Sequence, residues 1–165
     1  MSVMIRPAVP EDATSLTGVI NPIIAAGGTT AHQTPFDPSR LLRHYIAPPG
    51  IVSCQVALLD DQPVGMQSLQ WPDDEGDPFP DGWAIIASFV SPAAAGRGIG
   101  RALFAATANA AQAAGVQTID ATIRADNSVG LAYYSSLGFR DYDILRNIPL
   151  RDGTRVDRIR KRFDL

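Results

Sequence analysis

One short segment constrains the fold more than any other: an apolar run followed by a glycine-rich turn and an alanine-rich stretch. Trp83–Val90 is almost wholly apolar, which is typical of a strand covered on both faces. The turn Gly96-Arg97-Gly98-Ile99-Gly100 follows, and a helix is predicted from it to about Ala114, ending at Gly115. In this order, free backbone N–H groups and the positive end of a helix dipole meet where glycines leave room for an anion. The sequence therefore predicts a phosphate-binding turn.

Two common phosphate-binding motifs do not fit this turn. A P-loop needs Gly-Lys followed by Ser or Thr, and the single lysine of the chain is Lys161. A dinucleotide fingerprint needs G-x-G-x-x-G, whereas the sixth residue is Arg101 when counted from Gly96 and Leu103 when counted from Gly98. A tight turn with close helix packing remains the alternative to a ligand site.

The composition predicts one ordinary globular domain over residues 1–165. Hydrophobic residues make up 45% and charged residues 19% of the chain. A net charge of −3 argues against a nucleic-acid-binding protein. The single cysteine, Cys54, excludes an intramolecular disulfide and a Cys-rich zinc site, and we predict no metal. Without an apolar run of about 20 residues, we expect no membrane insertion and a cytoplasmic location.

Periodicity and turn residues predict strands and helices in mixed order. Pro22 is expected to end the first helix, and Val52, Cys54, Val56 and Leu58 are expected on one side of the second strand. An acidic loop is predicted over residues 72–82. The predicted elements are strands at Met4–Arg6, Ile51–Leu59, Val64–Trp71, Trp83–Val90 and Thr118–Ile123, and helices at Pro10–Asn21, Pro38 to about Ile46, Gly100–Ala114 and Asn127–Leu137.

Several of these motifs together resemble the GNAT superfamily of acetyl-CoA-dependent N-acetyltransferases. The resemblance covers about residues 85–140 and rests on Val90-Ser91-Pro92, Gly96–Gly100, Asn127, Tyr134 and Gly138-Phe139. It implies a mixed α/β fold: a mostly antiparallel sheet with helices on both faces, and with its fourth and fifth strands parallel and splayed. It also implies acetyl transfer from acetyl-CoA to a primary amine. The N-terminal half is nearest the phosphinothricin acetyltransferase-like branch, so a small molecule, such as an amino acid or analogue, is the expected acceptor.

The resemblance also assigns roles to individual residues. The main chain near Phe89 and Val90 would pair with the pantetheine arm, and Tyr134 would protonate the departing thiolate. Ala95 departs from the pattern, because the family usually has a long polar side chain there. The residues implied in cofactor binding are Phe89, Val90, Gly96, Arg97, Gly98, Ile99, Gly100, Arg101 and Asn127.

The proton acceptor is not evident from the sequence. The resembling branch has a glutamate where this chain has Ile85, and usually a histidine where it has Tyr134. His32 and Glu75 are the candidates for contact with the acceptor, His32 also as base. For an α-amine, whose reference pKa is about 7.7 to 8.0, ordered water would suffice.

Two other functions and one assembly stay open. The acceptor could be a protein or peptide N-terminus. A non-catalytic acyl-CoA-binding sensor is the alternative from a different class, motivated by the missing carboxylate at Ile85 and by Ala95. The resemblance also raises a homodimer as an alternative to a monomer.

Overall fold

A single seven-stranded sheet organises the computed structural model, which describes residues 2–76 and 78–165. Helices α1 and α2 follow the first strand, and helices α3 and α4 flank the fifth in sequence. The strands are β1 Val3–Pro7, β2 Ile51–Leu59, β3 Gln62–Gln70, β4 Trp83–Val90, β5 Thr118–Arg124, β6 Arg140–Pro149 and β7 Arg155–Asp164. The helices are α1 Ala13–Ala26, α2 Pro38–Leu41 with a π-helical turn over Leu42–Ile46, α3 Ile99–Ala113 and α4 Ser128–Leu137.

The spatial order of the strands is β1-β2-β3-β4-β5-β7-β6. All neighbouring pairs are antiparallel except β4 and β5, which run parallel. Their pairing covers only three positions and ends where Ile85 lies opposite Asp120. Beyond that point the two strands separate, as predicted from the resemblance, so residues 86–90 of β4 have a strand neighbour on one side only.

The core lies on both faces of the sheet. On one face, α1 and α2 pack against residues such as Val56, Met66 and Phe89. On the other face, α3 and α4 pack against Leu69, Ile119 and other apolar residues. This arrangement confirms the predicted mixed fold with helices on both faces. No helix within the described ranges is both long and apolar enough to cross a membrane.

Two local predictions were wrong. The first helix does not end at Pro22 but continues to Ala26. Pro22 lacks the N–H that would donate to the Gly18 carbonyl one turn earlier; both residues are exposed, so this carbonyl can bind water instead. Val52 packs in the cluster of the opposite face from Cys54, because a register shift between Ile51 and Ser53 reverses the alternation.

The strands β6 and β7 form a hairpin to which sequence reasoning assigned no element. Many of their side chains are charged, and several of these charges are paired within the sheet. Lys161 contacts Asp141, Arg140 lies 3.1 Å from Asp164, and Arg160 lies 3.6 Å from Asp120. The basic C-terminal segment is therefore part of the sheet, next to β5.

Candidate functional site

The separation of β4 from β5 opens a cleft between the two strands. A cavity of about 230 Å³ lies there, bounded by residues 86–89 of β4 and residues 122–124 of β5. Helix α4 closes one side through Tyr133 and Tyr134, and the loop at residues 29–32 closes another. Phe89 lines this cavity, whereas Val90 instead packs against a small cluster that includes Ala94 and Ile99.

The glycine turn follows β4, the strand that forms one wall of this cleft. Gly96 and Gly98 have φ of 77° and 74°, in the left-handed region that favours glycine. No other heavy atom of the described residues lies within 4 Å of where a Cβ of either would stand. The Ala102 N–H donates to the Gly98 carbonyl at 3.0 Å, so the N–H groups of Ile99, Gly100 and Arg101 precede the first hydrogen bond of α3. The turn is therefore an open cradle of backbone N–H groups, with the exposed side chains of Arg97 and Arg101 beside it.

Gly100 is needed for a different reason. A Cβ at this position would lie 2.6 Å from Cε1 of Tyr133, closer than side chains approach one another. The Tyr133 hydroxyl also donates to the Gly100 carbonyl at 2.7 Å. Close helix packing, the alternative considered for the whole turn, thus explains Gly100 but not Gly96 or Gly98. Tyr133 on α4 therefore fixes the start of α3 against α4.

Tyr134 lies at the cavity wall and is buried, with 7% of its surface exposed. Its hydroxyl is 2.7 Å from Oγ of Ser88 on β4. The Gln67 side-chain amide donates to Ser88 Oγ at 2.9 Å and to the Tyr133 hydroxyl at 3.0 Å. Burial raises the pKa of Tyr134 well above its usual value. The hydroxyl therefore stays protonated at neutral pH and is available as a hydrogen-bond donor to a group in the cleft.

Asn127 has two structural contacts at the same cavity. Its side-chain oxygen accepts from the Gly130 N–H at 2.9 Å and so caps α4. Its side-chain nitrogen donates to the Thr29 carbonyl at 3.2 Å. The predicted cap is therefore present, and Asn127 also holds the covering loop against the cavity.

His32 lies at the inner side of that loop. Its Nε2 is 2.5 Å from the Tyr45 hydroxyl, and its ring packs edge-on against Phe36. Burial, followed by the nearby His44, Arg40 and Arg158, lowers the pKa of His32 to about 4. With this pKa the His32 ring is neutral at pH 7 but is only a weak base. Its contacts with Tyr45 and Phe36 favour a role in the cavity wall.

A second cavity, of about 330 Å³, lies on the face of the sheet that carries α2. It shares five lining residues with the first cavity, namely Tyr45, Ile86, Ala87, Thr122 and Arg158. The two cavities therefore meet where β4 and β5 separate. Arg158 Nε and Arg160 Nε are buried without a hydrogen-bond partner among the described residues, and both side chains line this second cavity.

Asp120 is a buried carboxylate in the second cavity that sequence reasoning did not select. It is 1% exposed and accepts from the Tyr142 hydroxyl at 2.5 Å and the Thr122 hydroxyl at 2.8 Å. Burial raises the pKa of Asp120, opposed by these two donors and by the charge of Arg160. The available signal was a single charged residue, an aspartate, within the predicted strand Thr118–Ile123.

The remaining candidates lie away from the cleft. Glu75 is exposed and is not among the residues that line the second cavity, whereas Asp73 of the same loop is. Asp77, another acid of that loop, lies outside the described residues. Cys54 is buried among apolar side chains, and burial raises the pKa of its thiol to about 12, as expected for a core residue. Among the residues the structure describes, no three His, Cys, Asp or Glu side chains are grouped to hold a metal ion.

A split pair of parallel strands with an open glycine turn next to the cleft has room for a phosphate-bearing ligand with an extended arm. The sequence matches the model of the Acetyltransferase (GNAT) family over residues 24–139, and the chain belongs to this family. The predicted family and its class of reaction, acetyl transfer that depends on acetyl-CoA, are thereby confirmed. A search among curated proteins returned no match.

Solved structures support the same fold. An N-acetyltransferase from Staphylococcus aureus superposes with a TM-score of 0.81 at 19% identity, covering 99% of both chains. A ribosomal-protein-alanine N-acetyltransferase from Brucella melitensis gives 0.83 at 24% identity, covering 98% of this chain and 99% of that one. A phosphinothricin acetyltransferase from Sinorhizobium meliloti, solved with acetyl-CoA, gives 0.81 at 21% identity, covering 100% of this chain and 89% of that one. At these identities the likeness establishes the fold.

Proposed function

We propose that this protein transfers the acetyl group of acetyl-CoA to a primary amine on a small molecule, with an amino acid or analogue as the leading class. The observation that carries the proposal is the meeting of two cavities, one in the split between β4 and β5 and one on the face that carries α2, at Tyr45, Ile86, Ala87, Thr122 and Arg158. One cavity is placed to receive an acyl donor, and the other to receive an acceptor. Direct attack requires this kind of access.

The described residues fit acetyl-CoA. The open turn at Gly96 and Gly98 leaves room for a pyrophosphate on the N–H groups that precede α3, with Arg97 and Arg101 as cations beside it. The free edge of β4 over residues 86–90 can pair with an extended pantetheine arm as a neighbouring strand would. Asn127 contributes to the wall of the same cavity.

The bound co-substrate supplies a thioester, whose thiol is a fair leaving group because its pKa is about 8.5. The Tyr134 hydroxyl is placed to donate to the departing sulfur. Ser88, held by Gln67, orients that hydroxyl from the opposite strand. The acceptor cavity, at about 330 Å³, suits a small molecule better than a folded chain.

Thiol release from acetyl-CoA, measured with amino acids, polyamines, aminoglycosides and peptides, tests the proposal. We expect turnover with a small primary amine. Turnover with peptides alone would favour an N-terminal acetyltransferase, and CoA binding without turnover would favour a sensor. Absence of CoA binding would contradict all three.

A second experiment tests the meeting of the cavities. Ala87 lines both, so Ala87→Leu should obstruct the junction and reduce transfer at least about 10-fold. The matched control is Ala105→Leu on the exposed side of α3, which should transfer acetyl like the wild type. Equal activity of both variants would argue against the junction as the place of reaction.

A further inference from the structure

Asp120 lies at the point where the cleft begins. The pairing of β4 with β5 ends at Ile85 and Asp120, so this aspartate is the last residue of β5 that has a partner on β4. A ligand arm that enters from the glycine turn and follows the free edge of β4 runs toward this closed end. Its reactive end would therefore lie close to Asp120.

The two faces of β5 carry different chemistry. Ile119, Ala121 and Ile123 face the helix α4 side, in the same apolar cluster as Tyr134. Asp120 and Thr122 alternate with them and line the second cavity. The Tyr134 side chain and the Asp120 carboxylate thus lie toward opposite faces of β5, and Thr122, next to Asp120 on its face, lines both cavities.

We infer that Asp120 binds the ammonium group of the acceptor and takes its proton, an inference that rests on the proposed acetyl transfer. Tyr142 and Thr122 each donate to one oxygen of the carboxylate, and each oxygen retains capacity for a further donor.

The surroundings of Asp120 affect its protonation in opposite directions. Arg160, 3.6 Å from Oδ1, favours the ionised form. Burial favours the protonated form, so the carboxylate is a better base than an exposed aspartate. The other charged or titratable residues that line this cavity are His44, Tyr45, Asp73 and Arg158.

The step balances as follows. The acceptor enters as an ammonium ion and gives one proton to Asp120, which later releases it to solvent. The neutral nitrogen then forms the C–N bond to the acetyl carbon while the C–S bond breaks. The second proton passes from the nitrogen to solvent as the amide forms, and Tyr134, having given its proton to the departing sulfur, regains one from solvent.

Asp120→Asn tests this role, with Asp143→Asn, an exposed aspartate on β6, as the matched control. With the best amine of the acceptor panel, we expect Asp120→Asn to lower kcat/KM for the amine by about 100-fold or more at pH 7. KM for acetyl-CoA should change less than about three-fold. The difference in kcat/KM between Asp120→Asn and the wild type should become smaller as the pH approaches the pKa of the amine, because more of the amine is then already neutral. Calorimetric titration of the amine into the enzyme–CoA complex should show weaker binding to Asp120→Asn.

Tyr142→Phe provides a second test that keeps the carboxylate in place. Removing one donor to the carboxylate should raise its pKa and move the acid limb of the rate profile to higher pH. This shift is informative even when Asp120→Asn melts at low temperature. A purely structural role for Asp120 predicts a pH-independent loss in Asp120→Asn and no shift of the acid limb in Tyr142→Phe, and would overturn the inference. Wild-type enzyme inactive on every amine would instead overturn the proposed function, and this inference with it.

Discussion

The Tyr134 hydroxyl on α4 and Ser88 Oγ on β4 lie 2.7 Å apart, joining the helix to the strand across the cleft. Replacing Tyr134 with Phe removes the donor to the leaving sulfur but keeps the ring. We expect kcat to fall about 10-fold to 100-fold. This loss is at or below the smallest rate contribution typical of a general acid, because a thiol is a good leaving group. KM for acetyl-CoA should stay within about three-fold. Steady-state kinetics measures both, and an unchanged kcat would remove Tyr134 from this role.

The phosphate-binding role of the turn predicts a selective effect of Arg101→Gln. Loss of this exposed cation should raise KM for acetyl-CoA about five-fold, equivalent to about 1 kcal/mol. S-acetyl-pantetheine carries no pyrophosphate, so its KM should not change. Arg43→Gln, an exposed arginine near α2, is the control and should leave both values as in the wild type. An equal effect of Arg101→Gln on both donors would contradict the assignment.

The close approach of Tyr133 predicts that Gly100→Ala destabilises the fold. The added methyl would stand 2.6 Å from the ring, so we expect a cost of about 1 to 3 kcal/mol in the free energy of unfolding. Each kcal/mol should lower Tm by about 2 to 4 °C. Gly18→Ala, in an open and exposed part of α1, should instead stabilise by about 0.5 to 1 kcal/mol. Thermal melting distinguishes them, and equal Tm values would contradict the packing argument.

The lowered pKa of His32 predicts its titration and a pH dependence of stability. In NMR spectra the His32 ring should stay neutral down to about pH 5, because its pKa is about 4. The unfolded chain, with a histidine pKa near 6.5, binds more protons between pH 4 and 6.5, so stability should rise with pH in that window and level off above it. His32→Gln should reduce this slope. The chain has only two histidines, so the variant also assigns the signal, and a His32 midpoint near 6.5 would contradict the burial argument.

The parts of the fold predictable from sequence are those governed by local pattern. The apolar run at Trp83–Val90, the glycine turn and the Asn127 cap each identify an element without reference to distant residues. The hairpin β6–β7 was missed because its many charged side chains do not form an apolar strand pattern, although some of them pair across the sheet, as Lys161 does with Asp141. Such pairing is visible only after the strands are placed side by side.

The candidate site divides in the same way. The cofactor side follows from consecutive residues, since a turn and the helix after it are local structures. The acceptor side is assembled from strands far apart in sequence. Asp120 on β5 accepts a hydrogen bond from Tyr142 on β6 and lies 3.6 Å from Arg160 on β7. The resemblance indicates a carboxylate on β4, at the position where this chain has Ile85. Asp120, the register partner of Ile85, lies on β5 and was therefore not predicted.

The three-position contact between β4 and β5 links stability to metabolism under the proposed function. Among the described residues, strands β1–β4 and strands β5–β7 meet in the sheet only at that short contact. A pantetheine arm bound as proposed would fill the cleft between the two strands and hold the two halves of the sheet together. Ligand at 100 times its dissociation constant adds about 2.7 kcal/mol to the stability of the folded state. Backbone N–H groups of residues 86–90 should then exchange with solvent more slowly, and resistance to unfolding would follow the acetyl-CoA concentration of the cell.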